Sequence, residues 1–282
     1  MIVDEKLGEV PLRILYYHKG GPTTAFSIAL TVQNTGTRPV QINVLKSMAG
    51  PSPDELFVGH RASKEFLLSF LGQDPEKIIL APGATQVVLL QPLRQAQVSS
   101  GLVLLNPVKP GEVTVKLRVV DPELMSLALN HMPVGRAKFT YGLFPQALQR
   151  VTVQYNGTPA VYDISIGDEP FLKDSRNGMK LAGNYGVVYL MDIQLTNPTT
   201  AYRTVEFYFS PTAGIARGAF LIDSQLYEVH VVDFSTQLRP EKFYQVALAP
   251  RQSRSVSLLT IPAGGSFYPV RLMLRNSDIR FQ

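Results

Sequence analysis

The chain has no cysteine and no tryptophan among its 282 residues. Without cysteine there is no disulfide framework, no thiol nucleophile and no thiolate zinc site. Without tryptophan, the side chain that sugar-binding sandwiches usually stack against a ring is missing. No apolar run approaches the ~20 residues of a membrane helix, so a helical membrane span is excluded. Lys and Arg total 27 against 22 Asp and Glu, a net charge of +5, and they are scattered without a basic run. The electrostatic footprint of a nucleic-acid binder is therefore lacking. His18, His60, His131 and His230 stand at least 42 residues apart and never at metal-ligand spacing. There is no nucleophile elbow, no P-loop and no dinucleotide-binding glycine fingerprint; Gly183-Asn-Tyr-Gly186 precedes a strand, with no helix N-terminus to hold a phosphate. No motif carries an identifiable reaction, and an enzyme is the least favoured class.

What is present is a pattern stated twice. Phe26-Ser-Ile-Ala-Leu-Thr-Val-Gln-Asn34 alternates apolar and polar residues and ends on an asparagine, as does Tyr189-Leu-Met-Asp-Ile-Gln-Leu-Thr-Asn197. Leu-Ala-Pro follows each, with its proline 48 residues after Asn34 and 53 after Asn197. Val and Leu then recur six and eight residues past each proline, as Val88 and Leu90 and as Val256 and Leu258. Each copy closes on one more alternating strand, Val113/Val115/Leu117/Val119 and Val270/Leu272/Leu274. An internal repeat of this length implies two units of one architecture. The hydrophobic fraction of 45% suits two buried cores, and 21 glycines with 21 prolines suit many short turns. Strict alternation predicts antiparallel sheets with one buried face each, and hence an all-β chain of two tandem sandwiches.

The first copy occupies 1–121. Strands are expected at 10–17, 26–32, 40–45, 77–80, 86–91 and 113–120, with a strand or extended loop at 102–105. Ser63 and Gly72 can cap a two-turn helix carrying Phe66, Leu67 and Phe70 on one side. Such a short helix must dock on the sandwich to persist. Asp121 and Pro122 signal the start of a linker helix over 122–135, ended near Pro133. The second copy, 136–282, is larger. It begins with a strand at 137–144, and Gly167–Gly183 forms a loop longer than usual, which marks it as functional or mobile. Asn156-Gly-Thr158 matches the glycosylation acceptor and is better read as a hairpin turn.

Thr31-Val-Gln-Asn34-Thr-Gly-Thr-Arg-Pro-Val, Leu80-Ala-Pro-Gly-Ala-Thr85 and Gly111-Glu-Val-Thr-Val-Lys-Leu-Arg-Val-Val-Asp121 resemble the bacterial immunoglobulin-like repeats, including the adhesion-related domains found in tandem on surface and secreted proteins. Residues 8–121 carry this resemblance. The second copy matches more loosely, with Asn197-Pro198 and Pro250-Arg251 in place of the glycine turns. The resemblance implies no catalytic residues and an extracytoplasmic spacer or binding role. Met-Ile-Val-Asp-Glu-Lys lacks the apolar core of a signal peptide, so either the chain is cytosolic or its signal has been removed; the resemblance implies the second.

Three candidate sites remain. Asp163, Asp168, Glu169 and Asp174 lie in and beside the long loop and offer oxygen ligands to calcium, although Lys173 and Arg176 can neutralise them and a solvated loop is the plainer reading. Tyr16, Tyr17, Tyr185, Tyr189, Tyr202, Phe207 and Tyr208 offer stacking surface for a glycan, or rim and core packing. Lys116, Arg118, Arg271 and Arg275 project at outward phase from the closing strands, where they guard edges or form a stripe for an acidic partner. The resulting expectation is a non-enzymatic structural or protein-binding module of the cell envelope or secreted fraction. Its partner would be a protein or envelope component; a carbohydrate-binding module and a two-domain periplasmic assembly chaperone are the alternatives.

Overall fold

Residues 3–21, 26–72, 74–109, 111–121, 142–144, 147–233 and 240–278 are described in a computed structural model of the chain. The linker helix expected at 122–135 lies outside them. Of the strand expected at 137–144, residues 142–144 are not strand, and the rest lie outside the described residues. The chain divides into two units, Met1–Gly142 and Leu143–Gln282.

In the first unit, apolar alternation produces β1 (Val3–Leu7), β2 (Leu12–Lys19), β3 (Phe26–Asn34) and β4 (Val40–Ser52). After helix α1 (Glu55–Ser69) come β5 (Glu76–Leu80), β6 (Thr85–Leu93), β7 (Val98–Lys109) and β8 (Val113–Val120). They form two antiparallel sheets ordered β1-β8-β3-β6 and β2-β7-β4-β5. Ile28, Leu30, Val32, Val115 and Leu117 from the first sheet meet Ile14, Ile42, Val44, Ile78 and Val103 from the second in one core. The segment at 102–105 is thus the middle of a twelve-residue central strand.

The helix differs from expectation at its start. It runs fifteen residues, and its N-cap is Asp54, whose carboxylate accepts from the Phe57 amide at 2.8 Å. Ser63 is instead buried mid-helix. The turns before it are hidden in the sequence because Gly59 and Ala62 give the buried stripe Val58, Ala62, Phe66 little hydrophobic contrast. On the solvent side Arg61 and Glu65 form an i,i+4 pair at 2.7 Å. The helix packs on β4 and β7, where the Ser47 hydroxyl donates to the Ala62 carbonyl at 2.8 Å.

A bulge alters the phase of β6. Leu30 opposes Leu89 while Thr31 opposes Val87, leaving Val88 as the extra residue. Val88 and Leu89 are both buried as a result, and Leu90 is turned to solvent. The Val88 carbonyl accepts from Lys46 Nζ at 2.9 Å, and the same ammonium pairs with Glu76 at 2.7 Å.

The second unit contains β9 (Leu148–Tyr155), β10 (Val161–Ile166), β11 (Val188–Thr196), β12 (Arg203–Pro211), β13 (Ile215–Ile222), β14 (Gln225–Asp233), β15 (Glu241–Leu248), β16 (Ser253–Thr260) and β17 (Val270–Asn276). Its sheets are ordered β10-β17-β12-β15 and β14-β13-β16-β11-β9. All pairings are antiparallel except β9 with β11. Met191, Ile193, Val256 and Leu258 pack against Phe207, Phe209, Leu272 and Leu274 to fill the space between them. The Asn156–Thr158 turn joins β9 to β10, which lie in opposite sheets, so it is a corner between layers and not a hairpin.

The two asparagines occupy equivalent places. Asn34 is fully buried; its amide donates to Arg38 O at 2.8 Å and Leu80 O at 3.1 Å, while its Oδ1 accepts from Gly36 N at 3.0 Å. Asn197 donates to Ala201 O at 2.8 Å, Leu248 O at 3.2 Å and Ala249 O at 2.9 Å, and accepts from Thr199 N at 3.1 Å. Each carboxamide holds its own following turn and the Leu-Ala-Pro turn together. The strands after Leu-Ala-Pro, β6 and β16, both pair with the asparagine strand. The closing strands, by contrast, are not counterparts. β8 lies beside β3, whereas β17 lies beside β12 in the other sheet, the place held by β7 in the first unit.

Replacing Asn34 or Asn197 by Ala removes two or three bonds to backbone carbonyls, one of them buried, and one from a backbone amide, at about 1 kcal/mol each. Urea denaturation of either variant should show a loss of about 3 kcal/mol, and Asn→Asp should be no better because it deletes both donors. Asp54→Ala should cost about 1 kcal/mol, the value of an N-cap. An undiminished midpoint in the asparagine variants would refute the staple.

Candidate functional site

A constellation of ionisable groups in the second unit lies on the outer face of sheet β10-β17-β12-β15. Along β12, Val205, Phe207 and Phe209 point into the core, so Glu206 and Tyr208 must point out. Register brings Arg275 of β17 opposite Glu206 on one side and Lys242 of β15 opposite Tyr208 on the other. A bulge between Phe207 and Tyr208 sets Lys242 in reach. Glu206 then accepts from Arg275 at 2.8 Å, Tyr208 Oη at 2.6 Å and Lys242 Nζ at 3.1 Å. The Arg275 guanidinium also donates to Tyr208 Oη and lies over the Tyr208 ring, 4.6 Å from its centre.

Burial alone would raise the Glu206 pKa, but the bonds from Tyr208, Arg275 and Lys242 outweigh it and hold the carboxyl down at about 2. Burial, reinforced by donation to that carboxylate, pushes Tyr208 up to about 12. Chemically the cluster is closed. Its carboxylate is ionised and engaged by three donors, so it is neither a base nor a nucleophile. Arg275 is therefore not a free cation on an open face, as its outward phase suggests; its side chain is only 11% exposed.

The remaining candidates are dispersed. Arg271, on the same sheet, is exposed and lies 3.8 Å from Asp163. Lys116 and Arg118 are half-buried on β8, with Lys116 directly opposite Asp4 of β1. Among the four carboxylates considered for calcium, Glu169 pairs with Lys180 at 3.1 Å. Asp168 accepts from the Glu169 amide at 2.8 Å. Asp174, buried and not solvated, binds the Arg176 backbone at 2.9 Å and its guanidinium at 3.1 Å, and these contacts hold its pKa down. Among the described residues no group of three or more His, Asp or Glu is arranged to hold a metal ion.

The long loop is ordered from beneath. Asn184, fully buried after a one-turn 3-10 segment at Ala182–Asn184, accepts from Leu172 N at 3.0 Å and donates to Asp168 O at 3.1 Å and Tyr189 Oη at 2.9 Å. Tyr189 Oη also accepts from Gly167 N at 3.0 Å. Tyr185 donates to Ser266 O at 2.8 Å and meets Tyr268 edge-to-face. Tyr16 is buried against Gln91, and the exposed Tyr202 stands by itself among the ring contacts of the described residues. Glu206 and Lys242 escape sequence reasoning. The available signal is a carboxylate at outward phase between Val205 and Phe207, but only the sheet order reveals which cations flank it.

The expected pH response follows from the Glu206 value. A carboxyl at about 2 when folded and ~4.3 when unfolded contributes stability above pH ~4.3 that is lost as pH falls toward 2. Acid titration of unfolding in the second unit should show about 2 kcal/mol of loss over that window. Glu206→Gln should remove most of the dependence and be less stable at neutral pH by about 2 kcal/mol. A Gln variant with unchanged acid sensitivity would contradict the assignment.

No family model and no curated protein matches the chain. Among solved structures it is similar to the PBSX exported protein XepA, at 9% identity over 97% of this chain and 84% of that one, with a TM-score of 0.20. An anti-sigma factor domain-containing protein from Clostridium clariflavum aligns at 12% identity, covering 99% and 88%, with a TM-score of 0.19. The N-terminal CBM22-1-CBM22-2 tandem domain of Paenibacillus barcinonensis Xyn10C aligns at 13% identity, covering 96% and 74%, with a TM-score of 0.17. Likenesses of this size carry no argument about function. The chain itself is all-β, four sheets and one α-helix among the described residues, and none of its described helices is long and apolar enough to cross a membrane.

Proposed function

We propose that the chain is a tandem of immunoglobulin-like sandwiches acting as a non-enzymatic structural or protein-binding module of the bacterial cell envelope or secreted fraction. The observation that carries this reading is the pair of matching asparagine staples, each tying a core strand to a Leu-Ala-Pro turn of the opposite sheet. A duplicated scaffold of this kind serves as a spacer or presents surfaces. The charged clusters support the same reading, because Glu206 and Asp174 are consumed by structural contacts and not set beside a reactive group.

The glycan alternative draws less support. Among the described residues the tyrosine pairs Tyr185 with Tyr268 and Tyr227 with Tyr244 are edge-to-face, and the stacked pair Phe220 with Phe243 has Phe220 buried in the core, where no sugar ring can reach it. A glycan array with the full chain should be blank; saturable binding to one glycan class would transfer the assignment to the carbohydrate reading. Fractionation of the native host with an antibody to the chain should place it in the envelope or the medium. Recovery solely in the cytosol would overturn the proposed compartment.

A further inference from the structure

Among the described residues the sheet edges are guarded, with one exception. β1 and β5 are five residues long and carry Asp4, Glu5 and Lys6 or Glu76 and Lys77. β2 bears Arg13, His18 and Lys19, and Lys19 is tied to Glu55 at the start of α1. β6 has a bulge, Pro92, and Lys46 bonded to its bulged carbonyl. β10 is six residues with Asp163 exposed at its middle. β15 has a bulge and Lys242. β14 has a bulge against β13, carries Glu228 and Asp233, and packs beside β15. These are the devices by which natural sheets avoid pairing with further strands.

β9 has one of them at most, a lone charge. It runs eight residues, Leu148–Tyr155, pairs in unbroken parallel register with β11, and has no described strand on its other side. It contains no proline and a single charge, Arg150. Leu148, Arg150, Thr152 and Gln154 are outward and Leu148 is exposed, while Val151 is only partly covered by the core. An extended, β-branched edge with its outer backbone groups unpaired within the sheet is a template for strand addition.

We propose that this edge pairs with the same edge of a second copy, antiparallel about a twofold axis, joining two five-stranded sheets. The occupant follows from the sequence of β9. With Thr152 on the axis, Thr152 faces Thr152, Val151 faces Val153, Arg150 faces Gln154 and Gln149 faces Tyr155. Residues directly opposite share a face in antiparallel pairing, so the outward row meets the outward row and the inward row the inward. The one cation never opposes its own copy. It meets an amide that accepts its hydrogen bond, and the valines extend the covered face across the junction. A twofold contact of this type is self-complementary and closes at two copies.

The test uses the full chain. Sedimentation over about a hundredfold range of concentration should show a reversible monomer–dimer equilibrium. Thr152→Lys places two ammoniums face to face at the axis and should weaken association by roughly tenfold or more. Mixing Thr152→Lys with Thr152→Glu should restore it as a heterodimer. Thr152 is exposed, and matched denaturation midpoints will confirm that each variant folds. In a chain with no other thiol, Thr152→Cys should form a covalent dimer under a copper–phenanthroline oxidant, because opposed strand positions fall within the Cα separation a disulfide needs. A chain that stays monomeric throughout, a dimer that Thr152→Lys leaves intact, or a Thr152→Cys variant that fails to cross-link would overturn the proposal. None of these outcomes bears on cellular compartment.

Discussion

The carboxamide at the end of a core strand is the contact on which both units rest. A sandwich needs its two sheets in fixed register, and a chain without cysteine has no covalent way to set it. Asn34 ends β3 in one sheet and bonds the carbonyl of Leu80, which ends β5 in the other. Asn197, directly after β11, does the same toward the end of β15. Asparagine suits the place because one flat group supplies two donors and an acceptor on a single-carbon stem. The amide donors go entirely to backbone carbonyls, so the surrounding side chains can vary while the tie is kept.

Much of this is legible in the sequence, and for a physical reason. Strand alternation follows from which face is buried, and the asparagine and Leu-Ala-Pro signals stand at the positions where the backbone must turn. What cannot be read is pairing between distant strands. Val113–Val119 and Val270–Leu274 have the same alternation, yet β8 and β17 go to opposite sheets. Alternation reports a half-buried strand but not its neighbours. The helix start is obscured for a different reason: Pro53-Asp54 is a sound signal, but Ser63 looks like a cap when it is a small residue buried mid-helix. The bulge at Val88 is invisible because it depends on the partner strand.

The same limit governs the site residues. Sequence reasoning puts Asp163 and Arg271 in separate hypotheses, calcium and acidic partner, and the fold sets them beside each other. Arg275 reads as a surface cation because phase alone says which face a residue occupies, not what its neighbours across the sheet are. Glu206 and Lys242 complete its environment from two other strands. Lys46 shows the converse, an inward-phase cation whose ammonium reaches the carbonyl left over by a bulge and a carboxylate at the rim. In each case the charge is explained by local geometry.

Strand order also has a bearing on synthesis. β17, the last described strand, occupies the interior of its sheet between β10 and β12. As the chain emerges from a ribosome, β12 must wait 59 positions, from Pro211 to Val270, for the strand that joins it to β10, and β10 waits longer still. Domains otherwise fold as their own chain appears. In the first unit the corresponding interior strand, β7, arrives soon after β6 and well before the second unit begins. All the described strands of the first sandwich are out once Val120 has emerged, whereas the second stays open at its centre until β17 follows, so a product cut short before Val270 carries one sandwich with its strands complete and an unclosed one after it.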